Sequence, residues 1–194
     1  MFEFISTQLA NGARRLPTAR AVRRLVRQQD GAAAVEFGLV AAPFLALVFA
    51  IIETAVVFFA GQALETAVAD SSRLIMTGQA QTAGYDAAAF KNAVCAKIYG
   101  LFNCQAGVTV DVQKFASFSS MTNTSPVDSS GNFNLNPSYN PGAACDIVLV
   151  RLFYQYPVYV SLLGFNLSNL SGGKRLLAAT AAFRNEPFTS GASC

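Results

Sequence analysis

The strongest pattern along the chain is a long apolar run near its start. From Phe37 to Ile52 no charged side chain occurs. Glu53 interrupts the run, and Thr54 to Gly61 continues it. Taken as residues 32–60, the segment exceeds the roughly 20 apolar residues that a bilayer-spanning helix needs. Its two acids, Glu36 and Glu53, would stand about 26 Å apart along a helix. That places them near opposite faces of a hydrocarbon layer of roughly 30 Å, where a charge costs less than at mid-bilayer. Pro43 falls inside the run. In water it would break a helix at a cost of about 3 kcal/mol, whereas a membrane helix tolerates it with a kink.

Beyond the run the helical spacing persists. Leu64, Ala67, Val68, Ser71, Leu74 and Ile75 form a stripe, with Glu65, Asp70 and Arg73 off it, and Gly78 is placed to end the helix after Thr77. A shorter helix is predicted over 86–99. Val108, Val110 and Val112 alternate with Thr109, Asp111 and Gln113, predicting a half-buried strand over 107–115. Residues 117–142 are rich in Ser, Asn, Pro and Gly and read as a surface loop, long enough to be functional or mobile. Residues 146–158 give the clearest strand. Val148, Val150, Leu152, Tyr154, Tyr156 and Val158 line one face. Arg151 and Gln155 share the other with Ile147, Leu149 and Phe153, so that face is expected to be partly covered. Pro157 marks the strand's end. Residues 162–173 read as loop. Over 174–188 the alanines favour helix, while Thr180–Arg184 fits an edge strand.

Composition sharpens this picture. The 194 residues are 53% hydrophobic and only 13% charged, against about 25% charged in an ordinary soluble domain. His and Trp are both absent. No His-based triad, His-ligated metal or histidine base is available, and no G-x-S-x-G or phosphate loop occurs. These features argue against an enzyme and imply no cofactor. Charge is also uneven. Residues 1–31 hold six arginines against Glu3 and Asp30, a net +4, while the remaining residues carry eight bases and nine acids. An arginine cluster suits nucleic-acid phosphates, but no recognition module follows it. A cytoplasmic flank of a membrane helix fits better, placing the N-terminus inside and the rest of the chain outside.

A cleaved secretory signal has an apolar core of roughly 7–15 residues, shorter than the run here. A different signal lies before the run. In Gly31-Ala-Ala-Ala-Val-Glu36-Phe37 a glycine precedes the apolar stretch, with Glu36 five residues on and an aromatic after it. This resembles the type IV-like prepilin processing site. With Pro43 and the Ile51-Ile52-Glu53 ending, residues 27–61 resemble the TadE-like family of tight-adherence (Flp) pilus assembly proteins. The resemblance implies cleavage by a prepilin peptidase between Gly31 and Ala32. Glu36 would then neutralise the new amino group and, in the first helical turn, complement the helix dipole by about 0.3–1 kcal/mol. Glu53 would be an outer-leaflet anchor or a contact to a partner subunit.

The family further implies an α+β fold. A basic cytoplasmic leader (1–31) precedes a transmembrane helix with its extracytoplasmic extension (32–78). A small pilin-like periplasmic domain (79–194) follows, with a three- to four-stranded antiparallel sheet to which 174–188 contributes a strand. The implied role is a minor pilin or pseudopilin in adhesion, held in the inner membrane or built into a surface pilus. Its partners would be the peptidase and other Tad subunits. The alternative is an unprocessed single-pass anchor that displays a periplasmic binding or sensor module.

All four cysteines, Cys95, Cys104, Cys145 and Cys194, follow the apolar run. An oxidising compartment makes them disulfide candidates. Three connectivities are open. The favoured one joins Cys95 to Cys104 as a short staple and Cys145 to Cys194 to hold the tail, worth about 3 and about 4 kcal/mol on the loop-entropy argument.

Overall fold

The computed structural model describes residues 31–98, 100, 102–159 and 166–194. The arginine-rich leader up to residue 30 lies outside these, as do residues 160–165 of the 162–173 loop. The long helix α1 spans Ala32–Met76, 45 residues, and runs through Pro43 without a break in its assignment. The chain divides into two units, one ending at Leu45 and one comprising Ala46–Cys194. In the first, the α1 residues are mostly exposed.

The second unit is α+β. After α1 come α2 (Gln79–Thr82), α3 (Ala87–Cys95), α4 (Cys104–Gly107), β1 (Val108–Phe115), a 3-10 turn (Phe118–Ser120), β2 (Ile147–Pro157) and β3 (Lys174–Arg184). The three strands form one antiparallel sheet in the order β1-β2-β3, so the residues from 174 are strand and not helix. The expected 86–99 helix is shorter. Asp86 caps its start by accepting from Ala89 N–H at 2.7 Å, and it stops at Cys95. The short helices α2 and α4 were not expected. Each is a single turn, below the window in which periodicity registers.

Register sorts the sheet's two faces. Val112 pairs with Val150, and Val150 with Ala181. Those three share a face with Val108, Val148, Leu152, Leu177 and Ala179. All of them belong to a single core with Val57, Ala60, Leu64, Ala67, Val68 and Ile75 of α1 and Phe90 and Val94 of α3. The α1 positions recur every three or four residues, so one stripe of the helix meets the sheet. Burial of side chains as large as Leu64, Ile75 and Phe90 is worth about 1.5–3 kcal/mol each.

The opposite face is partly covered, as the pattern of β2 leads one to expect, and 117–142 is the surface loop its composition predicts, with no residue of it buried. The loop lies over this face, and Asp111, on the polar side of the β1 alternation, is fully buried beneath it. The cause is an ion pair. Arg151 donates to Asp111 Oδ2 through Nε at 3.0 Å and Nη2 at 2.7 Å. Gln113 donates to the same oxygen at 2.9 Å. Ser138 donates to Oδ1 through its backbone N–H at 2.8 Å and its hydroxyl at 3.2 Å. Arg151 Nη1 reaches the Thr124 carbonyl at 3.1 Å, and its guanidinium lies 5.5 Å from the Phe153 ring centre. Both carboxylate oxygens and all three guanidinium nitrogens are hydrogen-bonded, which is what burying such a charge pair requires. The Phe133 ring then packs 5.7 Å from Phe153. Residues 138–140 also cover the free edge of β1: Val112 N–H donates to the Ser138 carbonyl at 2.8 Å and Asn140 N–H to the Val112 carbonyl at 2.9 Å.

A third cluster joins the C-terminal segment to the end of α1. Gly78 has φ +76°, and a Cβ there would run into the Phe188 ring, so both backbone and packing require glycine. Glu186 N–H caps the Met76 carbonyl at 2.8 Å. Buried Asn185 donates to the Pro141 and Ala143 carbonyls, each at 2.9 Å.

Asp111→Ala strands a buried guanidinium and should cost about 3–5 kcal/mol, whereas Asp111→Ala combined with Arg151→Met should recover much of that loss. Chemical denaturation of the three variants measures this directly. Tyr139 sits 5.6 Å from the Phe90 ring, and its hydroxyl is buried without a hydrogen-bond partner among the described residues. Burial first, then the Asp86 carboxylate and Tyr85, push its pKa up to about 12. The folded state therefore holds this proton longer than the unfolded chain does. The stabilisation is complete below pH about 10 and is lost as pH rises through about 12. Tyr139→Phe should flatten the alkaline limb of a stability–pH profile and leave neutral-pH stability equal or higher.

Candidate processing site and exposed apolar helix

Gly31 immediately precedes α1 and is exposed. A Cβ built on it would meet nothing within 4 Å. Nothing in the fold requires glycine here, in contrast to Gly78. Ala32 opens the helix, and Glu36 and Phe37 follow on its surface, Phe37 at 75% exposure. The first turn contains no acid. Glu36 is the fifth helical residue, so the dipole stabilisation expected for a first-turn carboxylate is not available to it.

The apolar run is bare. Val35, Leu39, Val40, Phe44, Leu47, Phe49, Ile51 and Ile52 are all exposed. The most apolar 18-residue stretch of α1 contributes no buried residue. A core helix of a soluble protein would bury most of that stretch. A helix apolar all round and uncovered by the described residues calls for lipid or other apolar helices around it.

Glu53 makes an intrachain contact. It is buried within its own domain, and its Oε1 accepts from the Tyr159 backbone N–H at 2.6 Å. The sequence offered no sign of this bond, since the partners are 106 residues apart. Thus Glu36 and Glu53, alike in sequence as acids flanking the run, differ in kind: one is exposed, the other held by a backbone donor.

The remaining candidates lie elsewhere in the second unit. Cys95 is joined to Cys104, and Cys145 to Cys194. The first staples α3 to α4. The second ties the C-terminal tail to the turn before β2, where Cys145 adopts φ +67°. That turn is closed by Asp146 N–H donating to the Ala143 carbonyl at 3.2 Å. Burial raises the Asp146 pKa, but Lys114 at 2.8 Å and the Ala143 N–H outweigh it, and the net shift is downward. Among the described residues no three His, Cys, Asp or Glu side chains gather in a metal-binding group.

Residues 31–73 match the family described as TadE-like protein. The match opens on the glycine of the candidate processing site and closes three residues before the end of α1. It covers the helix and not the sheet. The family is that of Tad pilus-associated proteins. No curated protein and no solved structure matches the chain.

The exposed run predicts integral membrane behaviour. Alkaline carbonate treatment of membranes carrying the chain should leave it in the pellet, and only detergent should release it. Release by carbonate alone would show a peripheral association.

Proposed function

We propose that the chain is a minor pilin or pseudopilin of a Tad (Flp) pilus system. The apolar part of α1 crosses the inner membrane with its arginine-rich flank in the cytoplasm, and the sheet domain lies on the periplasmic side. Prepilin peptidase cuts between Gly31 and Ala32, leaving a mature chain that starts at the helix's first residue. The observation that carries this reading is a family-matched helix, preceded by a glycine that no described residue crowds, whose apolar surface the described residues leave uncovered.

The chemistry is consistent at each step. A glycine without neighbours can lie extended in a narrow protease cleft. Removing the leader takes six arginines off the helix, and with them the main electrostatic barrier to leaving the bilayer. The trimmed helix presents an apolar surface to other helices of its kind. Glu36, one turn from the new amino group, offsets that charge within the subunit or in a neighbour. The work is interaction, not catalysis. A domain of well over a hundred residues beyond the helix suits an initiating or tip position better than the bulk of a fibre.

Peptide mass mapping of the protein from membranes with an active prepilin peptidase tests this. Ala32 should be the N-terminus, and Gly31→Leu should retain the leader. A wild-type chain that keeps its leader in those membranes would contradict processing and favour the unprocessed anchor.

A further inference from the structure

Glu53 divides the apolar run in the sequence, but it does not end the apolar surface of the helix. Its carboxylate is turned into the domain and accepts from Tyr159 N–H at 2.6 Å. On the exposed side Thr54 returns its hydroxyl to the Ala50 carbonyl at 2.8 Å, leaving no free donor. Phe58 and Phe59 continue that side, at 69% and 65% exposure. The first exposed polar side chain without such an internal bond to the backbone is Gln62, nine residues past Glu53, or about 13 Å along the helix axis. The lipid-compatible band therefore reaches above the level at which Tyr159 meets Glu53.

The β2–β3 end of the sheet sits at that level. Tyr159 is 81% exposed. Tyr156, three residues before it, is half-buried, with its ring 6.2 Å from Tyr154. Pro157 pairs with Lys174, and Tyr156 with Arg175. Lys174 is exposed. No Asp or Glu occurs between Asp146 and Glu186, so β2 and β3 bring only cations and aromatic rings to this end, and its one acid, Glu53 of α1, is turned onto Tyr159 N–H. Tyrosines with nearby cations are the composition of a membrane–water interface, where the ring lies at headgroup depth and the ammonium reaches phosphate.

We propose that this end of the sheet, through Tyr159 and Lys174, is a second bilayer contact of the protein, seated in the outer interfacial layer of a phospholipid membrane beside the span. The surface is continuous with the lipid-facing side of α1. Glu53 is compatible with that depth because the Tyr159 backbone, not lipid, faces its carboxylate. The contact fixes the height of the domain over the membrane, and a subunit leaving the bilayer must release the sheet's end as well as the helix.

The inference rests on the membrane reading of α1, and the test separates the two. The chain contains no tryptophan, so single reporters can be introduced into the full-length protein. The variants are reconstituted in phosphatidylcholine–phosphatidylglycerol vesicles whose acyl chains are brominated at shallow or deep positions. Phe44→Trp, inside the apolar run, should be strongly quenched. Phe118→Trp, beyond the opposite end of the sheet, should emit as an exposed tryptophan and be unquenched. Tyr159→Trp should emit at shorter wavelength than Phe118→Trp and lose several-fold intensity with the shallow quencher, more than with the deep one. Lys174→Trp reads the same end if the Tyr159 variant does not fold. Quenched Phe44→Trp with unquenched tryptophans at 159 and 174 overturns the proposal, whether their emission is solvent-like or blue-shifted by a second copy of the chain. An unquenched Phe44→Trp overturns the membrane reading itself.

Discussion

Helix α1 has apolar side chains on every side over its first half and a single covered stripe over its second, and the rest of the molecule is arranged around that difference. The hydrophobic effect scales with apolar area removed from water. In the second half the sheet removes that area through Val57, Leu64, Val68 and Ile75. In the first half no described residue does, and the exposed aromatic and aliphatic residues from Phe37 to Ile52 demand another solvent. One continuous element thus joins a segment suited to lipid to a segment that packs into the core of a folded domain.

The domain resolves a related problem on the far side of its sheet. Strand β2 buries residues on both faces, since Ile147, Leu149 and Phe153 are as hidden as Val148, Val150 and Leu152. The helix covers one face only. The polar segment 117–142 covers the other, and the Asp111–Arg151 pair holds it there by engaging Ser138 and Thr124 from the loop. A buried pair of this kind contributes little net stability over apolar packing, but its loss is expensive. Its value here lies in position: it fixes a long, weakly apolar segment at one place on the sheet.

Much of this was legible in the residues. Periodicity located α1 and strands β1 and β2 to within a residue or two, and the Gly31–Phe37 motif pointed to the family that the helix matches. Other features depended on distance in sequence. Alternation put Asp111 on a side of its strand but could not say what lay over that side. The apolar residues sharing a face with Arg151 did signal a cover, and Phe133 and Tyr139, among the few large apolar residues of the loop, were a hint of its identity. The Glu53–Tyr159 bond left no local trace, because a backbone N–H donor has no residue type. The strand over 174–184 overrode its alanine content because pairing with β2 supplies hydrogen bonds and burial that helix propensity cannot match.

The central claim is that the first half of α1 depends on lipid and the sheet domain does not. Amide hydrogen exchange of the full chain, compared between phospholipid nanodiscs and a lipid-free aqueous state, addresses it residue by residue. The account predicts strong protection over residues 37–52 in nanodiscs and its loss without lipid, with β2 amides slow in both. Equal protection of residues 37–52 in the lipid-free monomer would mean that the chain buries its own helix, and would contradict the account.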